Sequence, residues 1–273
     1  MSQRKTCVIA VTNQKGGVGK TTICTQTALR YAQQLGKRVC VIDIDPQGNS
    51  STFFEPSHNY EGTRVRDLFT DIPGPVTPMV TRFGVDLFHT PENDSELASV
   101  EKLPIKQALK LKLHIEKVMG HYDYVFVDCP PSLGIKTIAV FSFADYVLIP
   151  VQVSGFAVNG LKGQIETIKA IRHQVNPGLK VLGVVINKLD RRRKRDIIAV
   201  ENLKNSIGSL LFDTIISYNA SLDAAMTEYC PVWKLQEGRA RVATAEIDSM
   251  IKEISKRMGG EQNANSFKHS SGI

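Results

Sequence analysis

An apolar run, Cys7-Val8-Ile9-Ala10-Val11-Thr12, passes almost directly into Lys15-Gly16-Gly17-Val18-Gly19-Lys20-Thr21-Thr22, and this junction constrains the fold more than any other feature. Gly16, Gly17 and Gly19 let the backbone curl so that successive N–H groups converge on an anion, and a helix starting beyond them adds its positive end. Such a loop needs a strand before it and a helix after it. The strand is the apolar run; the helix is predicted from about Thr21 to Leu35, with Gly36 closing it. Lys20 then reaches the β- and γ-phosphates of a nucleotide, and the Thr21 hydroxyl ligates Mg²⁺. The pattern departs from G-x-x-x-x-G-K-[ST]: Gln14 stands where its first glycine belongs, and a second lysine, Lys15, follows.

The remaining apolar runs repeat the alternation. Strands are expected at Val39–Asp43, Val85–Phe88, Tyr124–Asp128, Tyr146–Pro150 and Val181–Ile186, with a helix from about Val158 to Val175 whose Leu161, Ile165, Ile168 and Ile171 form one stripe. Uninterrupted apolar strands separated by helices predict an α/β fold, a mostly parallel twisted sheet with helices on both faces. Phe54 to Val80 is punctuated by Pro and Gly and reads as an irregular surface excursion. Residues 1–258 are expected to form one domain, and 259–273, small and polar, a disordered tail.

No apolar run approaches the roughly 18 residues that span a bilayer, and Met1–Thr6 lacks the features of a secretory signal; a cytoplasmic location is expected. The five cysteines show no C-x-x-C pair and no zinc spacing, so they read as reduced core thiols, with Cys129 singled out because it adjoins Asp128.

Nucleotide sites in open parallel sheets lie beyond the carboxyl ends of the strands. Two acidic segments sit there: Asp43-Ile44-Asp45-Pro46-Gln47-Gly48-Asn49, and Asp128-Cys129-Pro130-Pro131-Ser132-Leu133-Gly134. A strand-end Asp alone commonly caps a turn; combined with the phosphate loop, these resemble the D-x-D-P-Q-G-N and D-x-P-P-S-L-G segments of the ParA/MinD family of deviant phosphate-loop ATPases. The resemblance covers about residues 7 to 258 and is nearest to the short ParA/Soj type. It implies an ATP site formed by Gly16, Gly17, Val18, Gly19, Lys20, Thr21 and Thr22, and a metal site of Thr21, Asp43 and Asp128. It further implies that Asp45 positions the hydrolytic water and that Lys15 crosses to the nucleotide of a second subunit.

Asn187-Lys188-Leu189-Asp190 spells N-K-x-D, which in GTPases reads guanine; the resemblance implies adenine instead, with Asn187 meeting the base amino group. Ile215 to Ala225 resembles the segment that closes over the base, except that Ser217 replaces the usual proline.

Net charge is +7. Much of the excess lies in Lys188, Arg191, Arg192, Arg193, Lys194 and Arg195, six positive charges against one Asp. Such a run is either a solvated face or a patch for DNA phosphates; without interleaved aromatics it would contact the backbone. Arg239 and Arg241 are among the basic residues that could extend it. Ile247, Met250, Ile251, Ile254 and Met258 recur at helical spacing, and with Glu246, Asp248 and Glu253 among them they read as core packing rather than a membrane-binding face.

The family implies a switch: a homodimer formed with ATP and Mg²⁺ coats DNA non-specifically, a nucleoid-associated state, and a ParB-like centromere-binding or cargo-adaptor protein stimulates slow hydrolysis and releases it. A MinD-like membrane-associated division-site regulator is the alternative. An iron–sulfur carrier would need a second cysteine opposite Cys129, and a metabolic ligase a substrate pocket; neither has a signature.

Overall fold

β-branched and aliphatic runs favour strands buried on both faces, and here they assemble into one sheet. The computed structural model describes residues 6–153, 157–236 and 238–259. Its strands are β1 (Cys7–Val11), β2 (Val39–Asp43), β3 (Met79–Val80), β4 (Val85–Phe88), β5 (Tyr124–Asp128), β6 (Tyr146–Val151), β7 (Lys180–Leu189) and β8 (Leu211–Ser217). The helices are α1 (Lys20–Gln33), α2 (Asn49–Phe54), α3 (Ser95–Ser99), α4 (Ile105–Ala108), α5 (Lys110–Met119), α6 (Ile135–Phe141), α7 (Ala157–Val175), α8 (Lys194–Ile207), α9 (Ala220–Thr227) and α10 (Gly238–Arg257). The eight-stranded sheet runs β3-β4-β2-β5-β1-β6-β7-β8 and is parallel except where β3 pairs with β4. Alternate residues of β1 feed opposite cores, as a pleated strand requires. Val8 and Ala10 face the layer of α5, α6, α7 and α8, whereas Ile9 and Val11 face α1, α9 and α10.

This order positions the site. After β1 the chain builds β2 to β4 on one side, returns to β5 beside β1, then crosses to β6 on the other side. The carboxyl end of β1 is therefore the point where the winding reverses, the place where open α/β sheets bind ligands. Asp128 lies in register with Val11 on one side and Asp43 on the other, so the phosphate loop and both strand-end aspartates meet on one rim.

Two expectations change. The stretch from Phe54 to Val80 is not wholly superficial: Val65, Leu68 and Phe69, in a 3₁₀ helix at Val65–Phe69, are fully buried, and Met79–Val80 adds an antiparallel edge. A single 3₁₀ turn carries no 3.6-residue period, so Pro and Gly dominate its sequence pattern. At the other edge, β8 forms from a segment that sequence reading tied only to the base. Its amides at Asp213 and Thr214 donate to Glu253, and that of Ser217 to Glu246, both on α10; these carboxylates blunt the open edge. The stripe Ile247, Met250, Ile251 and Ile254 is fully buried in the core, as its composition predicts. Among the described residues no helix is long and apolar enough to cross a membrane. Residues 260–273 of the expected tail lie outside the described residues.

Just past β4, His89 is buried and stacks on Tyr60, ring centroids 4.7 Å apart. Burial first, then the nearby Arg64 charge, pushes its pKa down to about 4. The unfolded chain, with an ordinary imidazole near 6.5, takes up the proton first on acidification, so stability present above pH 6.5 drains as pH falls towards 4. After solvent screening the expected loss is about 1–2 kcal/mol. Thermal melts from pH 7 to 4 should therefore be shallower in pH for His89→Phe than for the parent; parallel curves would refute the assignment.

Candidate functional site

Between β1 and α1 the chain makes a loop that leaves its own amides free. Gly17 and Gly19 take φ of 73° and 89°, the left-handed region in which a Cβ is strained. A Cβ on Gly19 would also collide with the Asn187 amide. The loop is held from behind: Lys15 N–H donates to Asn13 Oδ1 at 2.8 Å, Asn13 Nδ2 to Pro150 O at 2.7 Å, and Asn187 Nδ2 to Val18 O at 2.8 Å. Among the described residues, no amide from Gly16 to Thr22 has a protein acceptor; the first helical bond is Ile23 N to Gly19 O at 2.9 Å. The result is a nest of free N–H groups at a helix N-terminus. Lys20 is 7% exposed yet forms no ion pair within the described chain. A buried ammonium left so is costly, and an anion in the nest relieves it. Lys15, by contrast, is exposed and points to the rim.

The carboxylates lie alongside. Asp128 Oδ2 accepts from Thr21 Oγ1 at 2.8 Å and from Ser50 Oγ at 2.7 Å, while Oδ1 is buried with no partner. Burial pushes the Asp128 carboxyl up to about 6 against the pull of these two hydroxyls. Asp43 is fully buried; its Oδ2 accepts from the Ser51 amide and hydroxyl, both at 2.8 Å, and Oδ1 from the Asp45 amide at 3.2 Å. Burial and the neighbouring Asp128 drive its pKa well upward. Two adjoining acids that resist ionisation mark a place where positive charge is wanted. Asp45 Oδ1 accepts from the Gln47 amide at 3.1 Å, and Oδ2 has no partner among the described residues. Cys129 is buried and its thiol is pushed up by burial and then by Asp128, so it behaves as an unreactive core group.

A nest of amides, a buried lysine and carboxylates on adjacent strand ends form a phosphate-handling site, and comparison with known proteins agrees. The model of the AAA domain family matches residues 6–181. Sporulation initiation inhibitor protein Soj of Bacillus subtilis is 34% identical over 250 residues, covering 90% of this chain and 97% of that protein. Chromosome partitioning protein ParA of Caulobacter vibrioides is 32% identical over 237 residues, 85% of this chain and 88% of that one. The crystal structure of cobyrinic acid a,c-diamide synthase from Mycobacterium smegmatis with bound ADP and magnesium superposes with a TM-score of 0.70 at 29% identity, covering 82% of this chain and 91% of that one. The chain belongs to the ParA/Soj family of partition ATPases.

In this ParA-type chain the basic cluster does not form one patch. Arg192 forks onto Asp190 at 2.9 and 3.0 Å, Arg193 reaches the same carboxylate at 3.2 Å, and Arg195 lies 3.6 Å from Asp196. With Lys15, Lys188 and Tyr218, these three arginines line a cavity of about 710 Å³ beside the phosphate loop. Lys194 is exposed without an ion pair among the described residues, and Arg191 turns to a separate groove along β8 and α10 that it shares with Arg241; the Arg239 side chain lies outside the described residues. Arg192 and Arg193 also bear on the N-K-x-D tetrapeptide. They occupy both Asp190 oxygens and hold its pKa down to about 2 through the Arg192 hydrogen bonds, so a guanine edge would have to displace them. Asn187 Oδ1, meanwhile, is buried without a donor.

Sequence reading missed the groups that set the aspartates: the Ser50 hydroxyl on Asp128, the Ser51 hydroxyl on Asp43, and the Thr90 amide, which donates to Ser51 Oγ at 2.8 Å. Ser50 and Ser51 directly follow Asn49, and their place in the first turn of α2 is the one available signal; Thr90 carries none.

Proposed function

We propose that this protein is a nucleotide-switched partition ATPase: it binds ATP with Mg²⁺, pairs with a second copy, holds DNA non-specifically in that state, and is reset when a ParB-like partner stimulates hydrolysis. The observation that carries the reading is the phosphate nest whose amides and buried Lys20 have no protein partners among the described residues. Lys20 grips the β- and γ-phosphates. Thr21 and Asp128 fit Mg²⁺, since the unpartnered Asp128 Oδ1 and the Thr21 hydroxyl are hard oxygen donors side by side; bound there, the ion neutralises charge on the phosphate oxygens. Asp43, with both oxygens committed, supports that site from behind. Asp45, with Oδ2 free, orients the attacking water. Asn187 Oδ1 accepts from the adenine amino group, and the engaged Asp190 disfavours GTP.

The rim cations become the DNA surface. Pairing two copies doubles the Arg192, Arg193 and Arg195 set, which converts a weak phosphate patch into one that holds a duplex. A cytoplasmic, nucleoid-associated protein follows. The α10 stripe that the MinD-like membrane reading would use is buried in the core. Fluorescence anisotropy with ATP, ADP or no nucleotide tests the switch. DNA binding is expected with ATP alone, weakening with salt at a log–log slope of about −0.9 per phosphate contacted. The Arg192, Arg193 and Arg195 triple alanine variant should lose affinity by tenfold or more and show a shallower slope, about one unit per phosphate contact removed. Binding that ignores nucleotide or salt would overturn the reading.

A further inference from the structure

The segment that follows the metal-site aspartate is tethered by a residue that plays no part in the nucleotide motifs. Glu101 sits in a 3₁₀ turn at Val100–Lys102. Its Oε2 accepts from the Ile135 amide at 2.6 Å, and its Oε1 lies 2.8 Å from Lys136 Nζ. The Lys136 side chain is only 3% exposed and Glu101 is its one ion-pair partner among the described residues. The same carboxylate lies against Gly134 so closely that a Cβ there would collide with it. Gly134 joins Asp128-Cys129-Pro130-Pro131-Ser132-Leu133 to α6, whose first two residues are Ile135 and Lys136, and between Pro130 and Lys136 the other side-chain bond among the described residues is Thr137 Oγ1 to Ser132 O at 2.9 Å.

We propose that Glu101 is a positioning residue for turnover. Through Ile135 and Lys136 it fixes where the 130–134 segment leaves Asp128, and thereby sets the geometry that hydrolysis needs without touching nucleotide itself. This rests on the ATPase reading above. The reasoning is mechanical. A buried ammonium cannot move away from its counter-ion without a large desolvation cost, so the pair pins one end of the segment while Asp128 pins the other. Residues that orient a reactive group from one layer out commonly carry tenfold to hundredfold effects on rate.

Glu101→Ala alone would strand the Lys136 charge in the interior and endanger folding. The informative variant is therefore Glu101→Met with Lys136→Met, which removes both charges, compared with Glu101→Gln with Lys136→Met, which restores an acceptor for the Ile135 amide. The Met/Met protein is expected to bind ATP within about twofold of the parent and to lose about tenfold in kcat; the Gln/Met protein should regain most of that loss. Amide exchange in the nucleotide-free proteins gives an independent readout: Ile135 and Lys136 should exchange about tenfold faster in Met/Met, with β1 and β5 unchanged. Parental kcat in Met/Met, or a kcat loss matched by the same loss of ATP affinity, would overturn the positioning role. Unchanged exchange at Ile135 would overturn the tether itself. Absence of ATP turnover in the parent alongside altered exchange would instead count against the ATPase reading.

Discussion

Lys20→Met is expected to eliminate measurable ATP binding while leaving the nucleotide-free protein at least as stable as the parent. The two halves have one cause. Lys20 is buried at the mouth of α1 and forms no ion pair among the described residues, with Asp128 acting on it only at longer range, so in the empty protein its charge is a liability, and methionine fills the same volume without one. In the proposed nucleotide complex the same ammonium would donate to phosphate oxygens. Hydrogen bonds to charged groups contribute about 1.5–3 kcal/mol each, so losing two weakens binding by roughly a hundredfold or more. Calorimetric titration should show no heat with MgATP at concentrations that saturate the parent, and the ATP-induced rise in melting temperature should vanish, since it scales with the logarithm of ligand over Kd. ATP affinity within threefold of the parent would remove the basis for the proposed function. A variant that melts far below the parent would reject the account of Lys20 as an unpaired charge.

The parts of this site written in consecutive residues were legible before the fold was known. A phosphate nest is made by neighbouring amides, so Gly16, Gly17, Gly19 and Lys20 announce it, and strand-end carboxylates follow runs such as Val39–Asp43 and Tyr124–Asp128 whose periodicity marks them as buried strands. What stayed hidden depends on residues far apart in the chain. Nothing near Asp128 reveals that Ser50 will donate to it, and nothing near Lys136 reveals Glu101. The basic run is an instructive middle case. Its charge is plain in the sequence, but the division of Arg192, Arg193 and Arg195 from Arg191 depends on Asp190 and on where α8 begins, at Lys194. β8 escaped because Asp213 and Thr214 interrupt its apolar pattern, and their polarity suits an edge whose amides meet Glu253 on α10.

Lys15→Ala is expected to separate nucleotide binding from assembly. Lys15 is exposed and, among the described residues, makes no ion pair and is held only through its backbone, by Asn13. Removing an exposed side chain of this kind changes folding stability by about 0.5 kcal/mol or less, and if Lys20 serves the phosphates as proposed, ATP affinity should stay within about twofold of the parent. Assembly is different. In the proposed symmetric pair each subunit's Lys15 would meet the other's nucleotide, so one substitution would delete two contacts. At about 1.5–3 kcal/mol per charge-assisted contact, the dimer should weaken by two to four orders of magnitude, enough to leave monomers at micromolar protein. Sedimentation velocity with a non-hydrolysable ATP analogue reads this directly: a parental dimer, a monomeric variant, and both monomeric with ADP. DNA binding should disappear in the same variant although Arg191, Arg192, Arg193, Lys194 and Arg195 are intact, because the cation set is no longer doubled. A Lys15→Ala protein that still dimerises with ATP would show that the extra lysine acts within its own subunit, and ATP-dependent DNA binding by a monomeric variant would sever assembly from the switch.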